Sequence, residues 1–234
     1  MPNDWFEFKR FRVEQRKAAF KVGTDACLLG AWADVERNKR ILDVGTGSGV
    51  IALMLAQRSS ALITGIDRDD QNAVQAHENF TASPWKDRLT ALHASVQDFE
   101  ANPLFDHIVC NPPFFHGSTV HSDERMHRSR HDDELPLHEM LSHAYRLSSD
   151  DGSFSMVYPM ERLDETLVKA QTLGWSLHKL LRIKPNAKKA ANRFLAEWKK
   201  TASSLQDDTL ILYGDDLSYT EASKALLAPF YLHL

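Results

Sequence analysis

Apolar residues in this chain fall into short unbroken runs, separated by longer stretches in which they recur every three or four positions. The first pattern marks strands buried on both faces, and the second marks helices with one side against a core. Strands are expected at Arg40–Val44, Leu62–Asp67, Leu89–His93, His107–Cys110, Ser153–Tyr158, Leu177–Ile183, Arg193–Trp198 and Thr209–Tyr213. Helices are expected at Gly49–Gln57, Gln71–Phe80, Leu137–Leu147 and Glu161–Leu173, the last closed by Gly174 as its C′ residue. Strand and helix alternate four times in succession, so the predicted fold class is α/β, a doubly wound, mostly parallel sheet. Residues 1–38 stand apart as a short N-terminal lead-in packing on the core, and residues 39–234 form the main domain. One connection breaks the rhythm: residues 111–136 show no period and are longer than a compact domain carries without a function. That loop follows a strand, which places it at the carboxyl edge where such sheets bind ligands.

Composition narrows the class. With 234 residues, 43% apolar and 26% charged, the chain reads as an ordinary folded domain. No run of about 18 apolar residues occurs, and the N-terminal residues carry neither a positive segment nor an apolar one, so neither a membrane span nor a secretory signal is expected. The two cysteines, Cys27 and Cys110, lie far apart in apolar surroundings, which suits a reducing, cytoplasmic setting better than a disulfide framework. The net charge of −4 speaks against a nucleic-acid partner only on average. Between Lys179 and Lys200 eight basic residues face the single acid Glu197, and a second basic stretch runs through Lys9, Arg10, Arg12, Arg16, Lys17 and Lys21. Taken alone, either run reads as a solvated face.

Two segments carry chemistry. In Ile41-Leu42-Asp43-Val44-Gly45-Thr46-Gly47-Ser48-Gly49-Val50 a buried strand enters a glycine loop and then a helix, whose free N–H groups suit a ligand. A dinucleotide fingerprint wants its third glycine where Val50 stands, so the spacing disfavours a nicotinamide dehydrogenase. Asp67 closes the next strand 22 residues after Gly45, where a carboxylate can accept from a ribose. In Cys110-Asn111-Pro112-Pro113-Phe114-Phe115 two prolines stiffen the backbone, so that the Asn111 side chain and the Pro112 carbonyl present two oriented acceptors, as a planar NH₂ requires. Five of the eleven histidines fall between His116 and His138, but arginines and acids interspersed with them fit an RNA-facing segment better than a metal site, and no metal is expected. No G-x-S-x-G elbow is present, which disfavours a serine hydrolase.

With Asp43 in front, the glycine loop resembles the first motif of the class I S-adenosylmethionine methyltransferases, and Asn111-Pro112-Pro113-Phe114 resembles the N-P-P-[YF] motif of those acting on planar amines. The lead-in Phe20–Trp32, the segment Asn79–Trp85, Arg125-x-x-Arg128-x-Arg130-His131 and the C-terminal Tyr219–Leu232 extend the likeness along nearly the whole chain. Together they resemble the bacterial tRNA1(Val) (adenine-37-N6)-methyltransferase family, which implies a Rossmann-like fold and methylation of an exocyclic adenine amine in tRNA with S-adenosylmethionine as cofactor. By that resemblance Asn111, Pro112 and Phe114 are catalytic, the first two holding the amine and Phe114 stacking on the base. Cofactor contacts are implied for Lys21, Thr24, Asp25, Asp43, Gly45, Gly47, Gly49, Asp67, Arg68, Ser95 and Asn111. In the tRNA context Arg125, Arg128, Arg130, Lys184, Lys188, Lys189 and Arg193 become candidate phosphate contacts. No protein partner is implied, and a monomer is expected. Where many relatives carry an acid for the cofactor's adenine, this chain has Ala94-Ser95-Val96-Gln97-Asp98, leaving Ser95 or a backbone group for that task. The string Phe114-Phe115-His116-Gly117 also echoes ribosomal guanine-N2 methyltransferases, and a protein glutamine amide is a further alternative target. A module that binds cofactor or RNA without catalysis is the alternative from another class.

Overall fold

A computed structural model describes residues 3–112 and 135–234. The central sheet orders its eight strands β10-β8-β9-β7-β6-β3-β4-β5. In chain order these are β3 (Arg40–Val44), β4 (Leu62–Asp67), β5 (Leu89–His93), β6 (Phe105–Cys110), β7 (Ser148–Pro159), β8 (Ser176–Lys184), β9 (Arg193–Lys199) and β10 (Gln206–Ile211), preceded by a hairpin of β1 (Trp5–Glu7) and β2 (Arg12–Glu14). Helices α1 (Thr24–Trp32), α2 (Val50–Arg58), α3 (Asp70–Ala82), α4 (Leu137–Leu147), α5 (Leu163–Thr172) and α6 (Glu221–Leu227) flank the sheet. Within the central sheet all strand pairs are parallel except those of β9, which runs antiparallel to both β7 and β8. The expected α/β class, doubly wound and mostly parallel, is therefore the observed one.

Strand alternation sorts side chains onto two faces. Ile41, Val109, Val157 and Leu195 join α1, α2 and α6 in one core, while Leu42, Ile108, Met156 and Ala196 join α4 and α5 in the other. Every residue of α1 from Ala26 to Ala31 is buried, as is every residue of α2 from Val50 to Ala56, so neither helix has the one-sided stripe that marks α4 and α5. The hairpin strands have three residues each, rich in charge, and are equally silent.

Two consequences of the topology reach the site. First, reversal of β9 pairs Arg193 with Pro159 and Ile183, which puts Arg193 and the connection that follows Lys184 at the carboxyl edge, the same edge as Asn111. Second, α3 turns a polar stripe inward. Asn72 Oδ1, Gln75 Oε1 and Asn79 Oδ1 accept from the backbone N–H groups of Ala19, Lys17 and Glu14 at 2.9, 3.0 and 2.9 Å. Their helical spacing matches the climb of an extended chain along the helix, and all three are buried. The segment that leads into α1 is held against α3 by these bonds.

Candidate functional site

Val44 ends β3 and the chain turns through Gly45, Gly47 and Gly49 at φ of 69°, 57° and 82°, a left-handed region that L side chains rarely adopt. Gly45 and Thr46 donate their N–H groups to Ile66 O at 2.9 and 3.0 Å, and Gly49 N–H donates to Thr46 O at 2.8 Å. Asn79 Nδ2 ties the loop from outside by donating to Ser48 O at 2.8 Å. The loop and the carboxyl ends of β3, β4 and β6 enclose a cavity of about 580 Å³, closed on one side by residues 19–26.

Asp67, at the end of β4, lines this cavity and is 7% exposed. Its Oδ2 accepts from Gly47 N–H at 2.9 Å, and its Oδ1 accepts from Asp69 N–H at 3.0 Å and Asn72 Nδ2 at 3.2 Å. Burial nevertheless raises its pKa above the usual carboxylate range. Asp43 lies behind the loop, fully buried, with Oδ2 accepting from Thr46 Oγ1 at 2.7 Å and Ala52 N–H at 3.3 Å. Desolvation pushes its pKa up to about 7 from 3.8. The native state therefore binds this proton more tightly than the unfolded chain, and ionising Asp43 lowers stability as pH rises from about 4 to about 7. Asp43→Asn is expected to flatten the pH dependence of unfolding in that window, measured by urea titration at pH 4.5, 5.5, 6.5 and 7.5; an unchanged slope would show that Asp43 is ionised throughout.

Of the residues expected from the sequence, Lys21, Thr24, Asp25, Gly45, Gly47, Asp67, Arg68, Asn111 and Pro112 all line the one cavity. Asp43 and Gly49 shape its loop from behind. Ser95 is not on the cavity wall, whereas its neighbours Ala94, Val96 and Gln97 are. Phe114, Arg125, Arg128 and Arg130, with most of the 111–136 loop and its histidines, lie outside the described residues. The polar stripe Asn72, Gln75 and Asn79 was not foreseen, because its partners are backbone groups more than 50 residues away.

The basic run is less positive than its linear count. Lys179 pairs with Asp34 at 2.9 Å, Lys188 with Asp215 at 3.0 Å, Arg193 with Asp25 at 3.1 Å, and Arg182 with Asp207. Lys188 and Lys189 are exposed on the carboxyl-edge connection, and Lys184 Nζ donates to Ala187 O at 3.0 Å. Arg193 lies two strands from β6 and two residues beyond the level of Asn111 in the register.

Chemically, the site offers backbone donors at a helix N-terminus, a buried carboxylate, and two acceptors at the end of β6, around a cavity within the usual range for small-ligand pockets. A Cβ on Gly45 or Gly47 would meet nothing within 4 Å, so these glycines present bare backbone to open space. Such a set fits a nucleoside-bearing cofactor next to an amine substrate. Among the described residues no helix is long and apolar enough to cross a membrane.

Comparison with known proteins gives the same picture. The family model described as "Methyltransferase small domain" matches residues 18–170. The tRNA1(Val) (adenine(37)-N6)-methyltransferase of Trichodesmium erythraeum is 39% identical, with 99% of each chain covered, and that of Shewanella woodyi is 36% identical over 97% of this chain and 98% of its own. Among solved structures, a predicted O-methyltransferase of Agrobacterium tumefaciens superposes with a TM-score of 0.69 at 21% identity, covering 88% of this chain and 96% of that one. A T. thermophilus 16S rRNA N2 methyltransferase in complex with AdoMet and guanosine gives 0.57 at 20% identity, covering 86% and 52%. The two structural likenesses establish the fold, and the near-full-length relatives establish the rest: the chain is a methyltransferase-small-domain protein that belongs to the tRNA1(Val) (adenine(37)-N6)-methyltransferase family.

Proposed function

We propose that this chain transfers a methyl group from S-adenosylmethionine to the exocyclic N6 amine of adenosine 37 in a valine tRNA. The observation that carries the reading is the placement of Asn111 and Pro112 on the same cavity as Asp67 and the Gly45–Gly49 loop. When bound, S-adenosylmethionine supplies an electrophilic methyl carbon on its sulfonium. The Asn111 side-chain oxygen and the Pro112 carbonyl accept the two amine hydrogens and aim the nitrogen lone pair at that carbon. No side-chain nucleophile is required, so catalysis rests on alignment at an approach of about 3–3.5 Å. Phe114 stacks on the extruded base, offsetting the few kcal/mol that extrusion costs. Lys21, Thr24, Asp25, Asp67 and Arg68 surround the cofactor, Gly45 and Gly47 approach it through backbone, and Asp43 and Gly49 keep the loop in shape. Residues 1–38 serve as the lead-in that closes the cavity over the domain formed by 39–234.

Arg125, Arg128, Arg130, Lys184, Lys188, Lys189 and Arg193 grip phosphates on either side of the target nucleotide. The Lys188–Asp215 pair is solvent-exposed on both sides, 77% and 75%, and such pairs contribute little, so a phosphate can displace the carboxylate. Replacing Lys188 and Lys189 with Ala is expected to weaken tRNA binding and reduce the slope of log affinity against log salt by up to about 2, with cofactor affinity unchanged. An unaltered slope would return this connection to a plain solvated surface. The chain works as a monomer on tRNA in the cytoplasm, where two buried unbridged cysteines are at home.

The direct test is incubation of the protein with labelled methyl donor and unmodified valine tRNA, followed by mass spectrometry of the nucleosides. N6-methyladenosine at the position next to the anticodon is the expected product. Label recovered in N2-methylguanosine, or in protein, would overturn the assignment.

A further inference from the structure

Among the described residues three carboxylates line the cavity, those of Asp25, Asp67 and Asp69. Asp67 accepts from the N–H groups of Gly47 and Asp69, and Asp69 accepts from those of Gln71 and Asn72. Asp25 instead takes a cation from the far side of the sheet: its Oδ2 accepts from Arg193 Nε at 3.1 Å, across 168 residues of sequence. The side chains of Arg193 and Asp25 are only 22% and 30% exposed, so solvent screens this pair far less than the open Lys188–Asp215 pair.

Both partners stand on rigid parts of the fold. Asp25 lies in the first turn of α1, whose residues Ala26 to Ala31 are buried. Arg193 opens β9, and Asn192 before it donates its N–H to Ile183 O at 3.0 Å and accepts from Met160 N–H at 3.1 Å. Arg193 thus joins the connection that carries Lys184, Lys188 and Lys189 to the wall of the cavity. In this arrangement its guanidinium cancels the charge of Asp25.

We propose that the Arg193–Asp25 pair sets how strongly the cavity prefers the methyl donor over its demethylated product, and that a tRNA phosphate raises this preference by drawing Arg193 away; this rests on S-adenosylmethionine and tRNA being the ligands. The donor's sulfonium gives it one more positive charge than S-adenosylhomocysteine. A bare Asp25 carboxylate attracts that extra charge, and a neutralised one scarcely distinguishes the two. A phosphate offers the planar guanidinium a bidentate acceptor and so competes with Asp25 for it. The two states differ in which anion holds Arg193. Donor and RNA favour the same state, so each raises the affinity of the other by the same factor. After transfer the thioether has lost the charge that Asp25 holds, which favours its exchange for fresh donor.

The test is calorimetry on the full chain at fixed salt, with and without saturating unmodified valine tRNA. The probes are S-adenosylhomocysteine and an unreactive analogue that bears an ammonium where the donor has its sulfonium. In the wild-type protein tRNA is expected to raise the affinity of the cationic analogue roughly 3- to 10-fold and that of S-adenosylhomocysteine by less than about twofold. Arg193→Gln should bind the analogue more tightly without tRNA, by a similar factor, and tRNA should then add nothing. Asp25→Asn should bind the analogue more weakly and also lose the effect of tRNA. Replacing Lys188 and Lys189 with Ala, which leaves the pair intact, should weaken tRNA binding and keep the full effect once tRNA saturates. A loss of coupling through general damage would appear in that variant as well, and melting temperatures show which variants are folded. If Arg193→Gln fails to fold, Asp25→Asn carries the test. An effect of tRNA that survives in either variant would overturn the proposal, as would an equal effect on both probes in the wild type. A wild-type protein that binds tRNA and cofactor with no influence of one on the other sinks this inference alone, whereas one that binds neither sinks the methyl-transfer reading with it.

Discussion

Asn111→Ala is expected to lower the rate of methyl transfer by at least about 10²–10³-fold while the affinity for S-adenosylhomocysteine stays within a few-fold of wild type. Asn111 directly follows β6, whose last residues Val109 and Cys110 are paired with β3 and β7 on either side, so its backbone is held by the rigid centre of the sheet. Truncation there removes a positioned acceptor while Asp67 and the Gly45–Gly49 loop, on the cofactor side of the cavity, keep their hydrogen bonds. An oxygen aimed at the amine is felt only when substrate is aligned for attack, which is why the loss falls on turnover rather than on cofactor binding. Single-turnover kinetics and calorimetry on the same preparation separate the two. Full turnover in the variant would remove Asn111 from the chemistry.

Gly49→Ala is expected to destabilise the fold by about 2–5 kcal/mol and to weaken cofactor binding at the same time. Gly49 sits at φ 82°, and an L residue there costs roughly 1–2 kcal/mol. A Cβ would also stand 2.5 Å from Phe80 Cε1, a ring that is 2% exposed and packed in the core, so relief requires moving α3. Overpacking of this kind adds roughly 1–3 kcal/mol. Gly49 is the N-cap of α2, with Leu53 N–H donating to its carbonyl at 3.0 Å, so strain there passes into the loop that carries Gly45 and Gly47. Urea unfolding should show a lower midpoint with an unchanged slope. Gly45→Ala makes the informative contrast, since its Cβ meets nothing within 4 Å and only the φ penalty at 69° applies. Equal losses in the two variants would mean that contact with Phe80 is relieved at no cost.

Asp43, the three loop glycines, Asp67 and the Asn111-Pro112 step were legible in the sequence because each depends on short-range demands. A left-handed turn needs glycine, a strand end needs a turn, and two stiffened residues need proline, all within a few positions of one another. The central strands β3, β4, β6, β7 and β9 were legible because burial on both faces forces continuous apolar runs, whereas the edge strand β10 runs from Gln206 to Ile211 rather than from Thr209 to Tyr213, its first four residues being polar and exposed. Gly174 follows α5 at φ 92°, as expected of a C′ glycine.

What only the tertiary structure decided depends on partners far away in the chain. Helix α1 is apolar all round, because it packs into the core on every side, and so carries no period to read. The Asn72, Gln75 and Asn79 stripe looks like an exposed polar face until residues 14–19 are laid against it and their N–H groups donate to its three side-chain oxygens. Ser95 and Gln97 are two residues apart, and only the course of the chain after β5 decides which of them faces the cavity. The run from Lys179 to Lys200 sums to +7 as a string, yet Asp34, Asp215, Asp25 and Asp207 come from other parts of the fold to meet four of its cations. Local sequence determined the backbone geometry of the site, since the φ a residue can adopt is set by that residue. Strand direction and pairing decided which charges and amides reach it, since reversing β9 carries Arg193 from one edge of the sheet to the other without altering a single local preference.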